Sequence, residues 1–517
     1  MIPRVLIAVA LVAAFPFTPT PAAQTSVLSS WLQTTLRQAR ADERQLVWVY
    51  FRDKGAAAAG RFLTTIAREN LPVERTYVAR LAGQVTRIRH ESRWLNAVSA
   101  EATGAQINTL SSLPFVAHVD LVKRYRRPRG EVYERLDARA APPRARPRAF
   151  AETSLEYGTS QEQLAQLRVP ELHERGLNGR GVVVAVFDTG FPNLEHEAFG
   201  SMTILAEHDF VAGRDTVRGS TDNHGTATLS TLGGRRDGEL FGPAYGATFL
   251  LAITEDVRSE TPIEEDNWAA AAEWAHSLGA NVISSSLGYL EFDFPHTSYT
   301  DRDMDGQTAI TTRVAAMAAE RGVVVVNSAG NGGFRADRNT LGAPADGVRV
   351  LAIGAVESDG ARAGFSSVGP TADGRIKPDV SARGVRVKVA SANGPASYSL
   401  ASGTSFSCPL VAGVVALLLQ ARPAYTVDDV IAALRSTASQ AARADNLLGW
   451  GIVDAVRAVD TALPVARMRV GNRDTRCAPR LHVSAGDAQF CPLLSWSSSS
   501  SPLSSPSLST TLTKPNM

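Results

Sequence analysis

The feature that most constrains the fold is a series of short, almost continuously apolar runs that alternate with helical stretches between residues 161 and 463. Strands that are apolar on both faces are typical of a parallel sheet covered by helices. The apolar runs occupy residues 182–187, 248–253, 282–283, 323–326 and 348–353. The helical stretches between or after them occupy residues 267–277, 311–320, 410–420 and 427–438. The pattern predicts an α/β, doubly wound fold, with a mostly parallel sheet flanked by helices and a functional site beyond the carboxyl ends of the strands.

A smaller unit precedes this region, at residues 24–122. Runs rich in β-branched and aromatic residues at 46–51 and 116–122 indicate strands, and stretches at 56–68 and 102–110 indicate helices. About 100 residues are enough for an independent domain. We therefore expect a small α+β domain here, without a cluster of residues suited to catalysis.

A basic, proline-rich connector at residues 123–150 links the two units. Between residues 123 and 148, ten Lys and Arg face three Asp and Glu, a local charge of +7 in a chain whose net charge is +2. Nucleic-acid binding would place such charge on a folded face with aromatic residues. The connector instead predicts a solvated, protease-sensitive linker, and we expect no nucleic-acid partner.

The N-terminal residues predict export, and the C-terminal residues predict a disordered tail. Residues 1–23 have the form of a signal peptide: Arg4, an apolar run at 5–15, and small residues at Ala22 and Ala23. That run is too short to span a bilayer, and no later run reaches about 18 apolar residues. We expect a secreted protein, extracellular or periplasmic, with no stable membrane span. Residues 464–517 include a low-complexity Ser- and Pro-rich stretch and predict a disordered tail.

Residues 403–409, with the sequence GTSFSCP, place Ser405 in a turn of small residues just where a long apolar helix begins. A serine hydroxyl becomes a nucleophile only with a base and with donors for the oxyanion. The first N–H groups of a helix lack intrahelical partners and can supply some of the donors for the oxyanion. The segment alone fits a helix-capping turn equally well, so its meaning depends on partners elsewhere.

Three candidate partners lie upstream. Asp188 ends the first apolar run, where its carboxylate could orient an imidazole. An isolated Asp-Thr-Gly segment could also simply cap a loop. Aspartic proteases pair two Asp-Thr-Gly segments, and this chain has one. His224 opens a helix of small residues, and Thr228 stands where a zinc ligand would be expected four residues on. Asn331, in a Gly-rich turn after the fourth run, could point its amide into a cleft or simply form the turn.

With Asp188, His224, Asn331 and Ser405 in this order, the chain resembles the subtilisin-like serine proteases, or subtilases. The order Asp, His, Ser separates that family from chymotrypsin-like and α/β-hydrolase enzymes. The resemblance covers about residues 161–463 and extends to the segments at 181–182, 285–288, 365–367, 373–379 and 449–451. Residues 381–384 depart from it, since many members have Ala-Pro-Gly there. The leader at 24–122 resembles the family's inhibitory propeptides.

The resemblance implies a role for each residue. Ser405 would attack the scissile carbonyl, His224 would move the proton, and Asp188 would hold the imidazole. The Asn331 amide and the Ser405 N–H would form the oxyanion hole. No cofactor would be required for the chemistry.

The resemblance also implies a cleft for an extended peptide. One side would be lined by Ser286, Leu287 and Gly288, which would pair with the substrate backbone. Ala329 and Gly330 would form the other wall of the first specificity pocket, and their small size suggests room for apolar or aromatic side chains.

Two further features leave alternatives open. Residues 301–306, DRDMDG, resemble the start of a calcium loop, but Thr312 stands where the closing Glu would be, so a solvated turn fits as well and the metal ligands stay unassigned. Of the three cysteines, Cys477 and Cys491 are the candidate disulfide pair, and Cys408 is expected to be a small buried residue.

We expect a secreted endopeptidase made as a precursor, domain 151–463 being catalytic and the leader serving as an intramolecular inhibitor. Processing is expected in or just after the connector, near residues 148–154. A transpeptidase or cyclase would use the same fold, but it would need water excluded from the cleft, and no covering domain separates the motifs. A non-catalytic binding protein is the other alternative, although all four residues are present.

Overall fold

A computed structural model describes residues 26–59, 63–122, 132–135, 155–255, 265–290 and 298–461. The expected signal peptide at 1–23, most of the connector and the tail at 464–517, with Cys477 and Cys491, lie outside the described residues.

The leader contains a four-stranded antiparallel sheet with strand order β2-β3-β1-β4 and helices beside it. Its elements are α1 (Ser30–Gln38), β1 (Arg44–Phe51), α2 (Thr65–Glu69), α3 (Arg75–Ala82), β2 (Arg87–Ser92), β3 (Ala97–Thr103), α4 (Gly104–Ser111) and β4 (Val116–Leu121). The α+β architecture is confirmed. The helix expected at 56–68 is confirmed only at its end: a 3-10 turn occupies Gly55–Ala58, and α2 begins after Thr64, whose Oγ1 accepts a hydrogen bond from the Ala67 N–H.

A short strand, β5 (Val132–Arg135), follows the leader domain. The strands of the larger region are β6 (Val183–Asp188), β7 (Thr203–Asp209), β8 (Arg235–Arg236), β9 (Leu240–Phe241), β10 (Thr248–Ile253), β11 (Val282–Ser285), β12 (Val324–Ser328), β13 (Val350–Val356), β14 (Val380–Arg383), β15 (Val387–Ala390) and β16 (Tyr398–Ser402). Its helices are α5 (Gln161–Ala165), α6 (Val169–Glu174), α7 (His224–Gly233), α8 (Glu265–Ser277), α9 (Ile310–Glu320), α10 (Thr404–Ala421), α11 (Val427–Thr437) and α12 (Ala455–Asp460).

A seven-stranded, wholly parallel sheet forms the centre, with strand order β14-β13-β12-β11-β6-β10-β7. The doubly wound fold is therefore confirmed. Side chains of β6 alternate between two cores: Val184 and Val186 pack on the side of α7, α10, α11 and α12, whereas Ala185 and Phe187 pack on the side of α8 and α9. Burial on both faces explains why these strands are apolar throughout.

The leader packs on the α8 and α9 side. Trp48 and Trp94 of the leader belong to the same buried cluster as Phe187 and Trp268 of the larger region. Burial of large apolar side chains contributes roughly 1.5–3 kcal/mol each. The leader and the larger region therefore share one continuous hydrophobic core.

Helix α10 runs through the centre of its core. It begins at Thr404, several residues before the expected start, and contains Pro409. Within the described part of the chain it is the one helix long and apolar enough to cross a membrane, but 83% of it is buried inside the protein. Its apolar character is that of a core helix.

Candidate active site

The four proposed catalytic residues lie where parallel strands end or helices begin. Asp188 is the last residue of β6, and Asn331 follows β12. His224 is the first residue of α7, and Ser405 lies in the first turn of α10. Because parallel strands end at one edge of the sheet, this edge is where an α/β fold places its site.

Asp188 and His224 form a buried pair. The Nδ1 atom of His224 lies 2.6 Å from Oδ1 of Asp188, and the two side chains are 2% and 0% exposed. The carboxylate can only accept, so Nδ1 carries the proton and donates it. The neutral ring then has its unprotonated nitrogen at Nε2, on the far side of the ring, which is the arrangement of a general base.

Additional donors hold the Asp188 carboxylate in place. Thr228 donates from Oγ1 to Oδ2 at 2.8 Å, and the Thr189 N–H donates to Oδ1 at 2.8 Å. Sequence reasoning missed Thr228, which counted only as evidence against a zinc site. Its position one turn along α7 from His224 places both side chains on the helix face toward Asp188, which is the signal that could have found it.

Close packing brings α7 to the end of β6. The His224 N–H donates to Oδ1 of Asp222 at 2.9 Å, which anchors the start of the helix. A Cβ atom at Gly225 would lie 2.3 Å from the Gly190 carbonyl oxygen and 3.1 Å from Cβ of Asp188. Only glycine permits this approach, and the approach lets His224 reach the carboxylate.

Ser405 is 3% exposed, and it contacts Ser286 through both its side chain and its carbonyl. Its Oγ lies 3.3 Å from the Ser286 carbonyl oxygen, and its own carbonyl accepts a bond of 2.9 Å from the Ser286 hydroxyl. Pro409 explains why that carbonyl is available, because proline lacks the N–H that would bond to it four residues back. The ring of Phe406, the next residue, lies 5.9 Å from the His224 ring. The start of α10, where Ser405 lies, is therefore next to the start of α7, where His224 lies.

Asn331 is oriented by the start of α10. Its Oδ1 accepts from the Thr404 N–H and from the Thr404 hydroxyl, both at 2.9 Å. A backbone N–H can only donate, so the atom that faces Thr404 is the oxygen. The amide NH₂ therefore points away from Thr404, and it is the part of the side chain that can serve as an oxyanion donor.

The five proposed substrate-binding residues follow β11 and β12: Ser286, Leu287, Gly288, Ala329 and Gly330. The Leu287 carbonyl accepts from Nδ2 of Asn327 at 2.8 Å, so this carbonyl faces the protein interior. Gly330 has a φ of +111°, and a Cβ there would lie 2.9 Å from the Ser367 hydroxyl oxygen. The segment at 329–330 thus tolerates no larger side chain at Gly330, in keeping with a pocket wall.

Cys408 is fully buried, as expected. Its Sγ lies 3.5 Å from the carbonyl oxygens of Ser285 and Val326, and burial raises the pKa of the thiol to about 12. A thiol in this state is not a nucleophile at neutral pH. The interpretation of Cys408 as a packing residue is confirmed.

Two of the three carboxylates of the candidate calcium loop, those of Asp303 and Asp305, cap local turns. Asp303 accepts from the N–H and the hydroxyl of Thr300 at 2.7 and 2.8 Å. Asp305 accepts from the Gln307 and Thr308 N–H groups, both at 2.8 Å. Over the described ranges, no group of three or more His, Cys, Asp or Glu side chains is placed to hold a metal ion.

Comparison with known proteins agrees with this geometry. The sequence profile of the subtilase family, peptidase family S8, matches residues 179–451, and that of a peptidase S8 propeptide domain from Bacteroidota matches residues 59–135. Subtilisin NAT of Bacillus subtilis subsp. natto is 32% identical over 288 residues, which are 55% of this chain and 66% of that protein. Subtilisin of Bacillus pumilus is 30% identical over 289 residues, 55% of this chain and 92% of that protein.

A solved structure supports the fold. Fervidolysin from Fervidobacterium pennivorans, described as a keratinolytic enzyme related to subtilisin, aligns with a TM-score of 0.59 at 22% identity. The alignment covers 83% of this chain and 63% of that chain. Since the subtilase profile matches more than half of the 517 residues, the chain belongs to the subtilase family of serine endopeptidases.

Proposed function

We propose that this protein is a secreted serine endopeptidase that hydrolyses peptide bonds through an acyl-enzyme intermediate and is made as a precursor that processes itself. The observation that carries the proposal is the buried hydrogen bond of 2.6 Å between His224 and Asp188 beside Ser405. Nucleophile, base and orienting carboxylate are the three parts that acyl transfer by serine requires.

In the proposed reaction, Ser405 Oγ attacks the carbonyl carbon while Nε2 of His224 accepts the serine proton. The buried Asp188 carboxylate stabilises the imidazolium that forms, because an opposite charge at this distance is screened little by water. His224 then donates the proton to the leaving amine. Water hydrolyses the Ser405 ester in a second step that uses the same base.

The oxyanion is proposed to bind between the Asn331 NH₂ and the Ser405 N–H. The Thr404 contacts fix the amide before substrate arrives. A donor that is already oriented requires no reorganisation during the reaction, which is the basis of its effect on rate. Extended substrates would lie along residues 286–288 and 329–330.

The leader is proposed to act as the intramolecular inhibitor, and its polar contacts with α8 support this. Glu273 accepts from the Ser92 hydroxyl at 2.5 Å and from the Trp94 N–H at 3.2 Å. Arg89 pairs with Asp266 at 2.9 Å, with side chains 4% and 0% exposed. Bonds this deeply buried hold the leader in one orientation on the catalytic region.

A serine-directed fluorophosphonate tests the proposal, together with the size of the expressed precursor. The wild-type chain should take up label and lose about 125 to 150 residues as signal peptide and leader. Ser405→Ala should do neither. Ser407→Ala is the matched control, since Ser407 is buried in the same helical turn and donates only to the Thr404 carbonyl at 3.0 Å.

A wild-type chain that stays at full length and unlabelled would contradict the proposal and favour a binding protein. Labelled enzyme that joins added amines to peptide fragments, seen by product mass, would favour acyl transfer. Export is tested by finding the processed chain outside the cytoplasm of an expressing bacterium.

A further inference from the structure

Strand β5 lies beside the proposed nucleophile. It is the outer strand of a small antiparallel sheet with strand order β15-β16-β5. Its partner β16 ends at Ser402, only three residues before Ser405. Val132 lies opposite Ser402, and Tyr133 lies opposite Ala401. A segment of the connector thus forms a β-ladder at the edge of the proposed active site.

Strand β5 is exposed and pairs with the edge of β16, as a bound extended peptide would. Val132 and Tyr133 are 57% and 44% exposed. Without β5, β16 would be an edge strand, whose free N–H and C=O groups are a template for pairing with an extended peptide. The edge of β16 is therefore a peptide-binding surface that the chain fills with its own residues.

The direction of β5 identifies the side of the scissile bond to which it corresponds. The end of β5 nearer the nucleophile is Val132, and the chain then runs away from Ser405 toward Arg135. A peptide bond presented to Ser405 would therefore precede Val132 in the sequence. Strand β5 lies on the leaving-group side of that bond, the side that departs as the amine.

An ion pair gives this surface a charge preference. Glu134 of β5 pairs with Arg386, which lies just before β15. Arg386 has a φ of +52°, and its N–H donates to the Ser402 hydroxyl at 3.0 Å. Non-glycine residues rarely adopt this left-handed backbone conformation. At Arg386 it accompanies a side chain that reaches across β16 to Glu134.

Aromatic contacts give the surface a second preference. The Tyr133 ring meets the Phe406 ring edge to face, with centroids 5.9 Å apart. The Phe406 ring in turn lies 5.9 Å from the His224 ring. An aromatic side chain at this position of a peptide would shield the base from water on the leaving-group side.

We propose that the β16 edge, with Arg386 and Phe406, binds the leaving-group side of extended peptides that carry an aromatic residue followed by an acidic one, and that β5 occupies it in the precursor. This rests on the proposed endopeptidase function. The first cut then falls on the amino-terminal side of Val132, inside the connector and ahead of residues 148–154. The peptide C–N bond breaks, the leader's carboxyl forms an ester with Ser405 Oγ, and the amine of the segment containing β5 takes the proton from His224. Water then hydrolyses the ester.

Internally quenched peptides test the charge preference. All share one acyl side, and the leaving-group side carries Val-Tyr-Glu, Val-Tyr-Lys or Val-Ala-Glu. The kcat/KM of the mature enzyme should favour Glu over Lys about two- to fivefold, the scale of an exposed ion pair. The Tyr peptide should exceed the Ala peptide by about two- to tenfold. Arg386→Glu should invert the Glu and Lys order, and Arg349→Glu should leave it unchanged.

Arg349 is the matched control because it pairs with Asp428 at 2.8 Å, is 44% exposed against 53% for Arg386, and precedes β13, a strand of the seven-stranded sheet and not of the sheet that contains β16. A labelled, active enzyme whose Glu to Lys ratio is the same in wild type and Arg386→Glu overturns the inference while the endopeptidase function stands. An unlabelled, inactive enzyme refutes the function and the inference with it. If Arg386→Glu does not fold, equal rates for the Glu and Lys peptides in wild type overturn the inference.

The precursor offers an independent measurement. The masses of fragments in a time course of wild-type processing identify the first leader fragment released. A fragment that ends before Val132 supports the inference. A first fragment that extends beyond Arg135 overturns it.

Discussion

Replacing Arg89 by methionine should release the leader from the catalytic region. Arg89 Nε donates to Oδ2 of Asp266 at 2.9 Å, and Nη2 donates to Oδ1 of Asn267 at 3.2 Å. Burial alone would raise the pKa of Asp266, but Arg89 and His90 outweigh it, and the pKa lies below its usual value. Methionine keeps most of the side-chain volume but leaves this carboxylate buried without its cation.

Arg89→Met should weaken leader binding strongly because the Arg89–Asp266 pair is buried from solvent. Removing one partner of a buried ion pair costs about 3–5 kcal/mol. At about 1.4 kcal/mol for each factor of ten, the dissociation constant of the cleaved leader should rise about 100- to 4000-fold. Protonation of Asp266 would relieve part of the cost, so the lower end applies in mild acid.

The assay is the recovery of peptidase activity when the processed complex is diluted, since the proposed function requires free enzyme to be active and leader-bound enzyme to be inhibited. Arg87→Met is the matched control. Arg87 lies on the same strand, is 61% exposed and pairs with Glu101 inside the leader, so it should change the dissociation constant less than about fivefold. Equally small effects of the two variants would refute the reasoning that the buried pair holds the leader.

Four other outcomes are expected. The leader complex should weaken as the pH falls below about 6.5, because burial in the complex lowers the pKa of His90 from 6.5, so the free leader takes up a proton that the complex excludes. Dilution at pH 5 and pH 8 measures the change in the dissociation constant, and His90→Gln should reduce the difference between the two pH values. Thr228→Val should lower kcat/KM roughly ten- to hundredfold, since it removes a hydrogen bond to the charged Asp188, and a peptide assay checks it. Asn331→Ala should lower kcat about 100- to 1000-fold with little change in KM, the magnitude known for an oxyanion-hole asparagine of subtilisin, a relative of this chain. Iodoacetamide at pH 8 should leave activity unchanged, because the Cys408 thiol is buried with a pKa of about 12.

The parallel sheet could be predicted because strands that are buried on both faces appear in the sequence as continuous apolar runs. Residues 248–253 were expected as a strand and form β10 with those bounds. Asp188 could be placed at a strand end for the same reason. The helix expected to begin at residue 56 begins only at Thr65, nine residues later, because the Thr64 hydroxyl caps the helix there.

Contacts between distant segments could not be predicted in this way. The hydrogen bond of Thr228 to Asp188 joins residues 40 positions apart. The ladder of β5 with β16 joins segments more than 260 residues apart, since Val132 pairs with Ser402. Periodicity reports which face of an element is buried, and it carries no information about which distant residue covers that face.

Pro409 illustrates how a local rule and a distant contact combine. A proline inside a helix is expected to destabilise it by about 3 kcal/mol, partly because a carbonyl one turn earlier loses its donor. Here that carbonyl belongs to Ser405, and the Ser286 hydroxyl supplies the missing donor at 2.9 Å. The same proline that weakens α10 therefore leaves the Ser405 carbonyl free to bond to Ser286, in the segment proposed to bind substrate. In an uninterrupted helix the Ser405 carbonyl would accept from the N–H of residue 409. Because that residue is proline, the carbonyl accepts from Ser286 instead, and this bond helps to fix the position of Ser405.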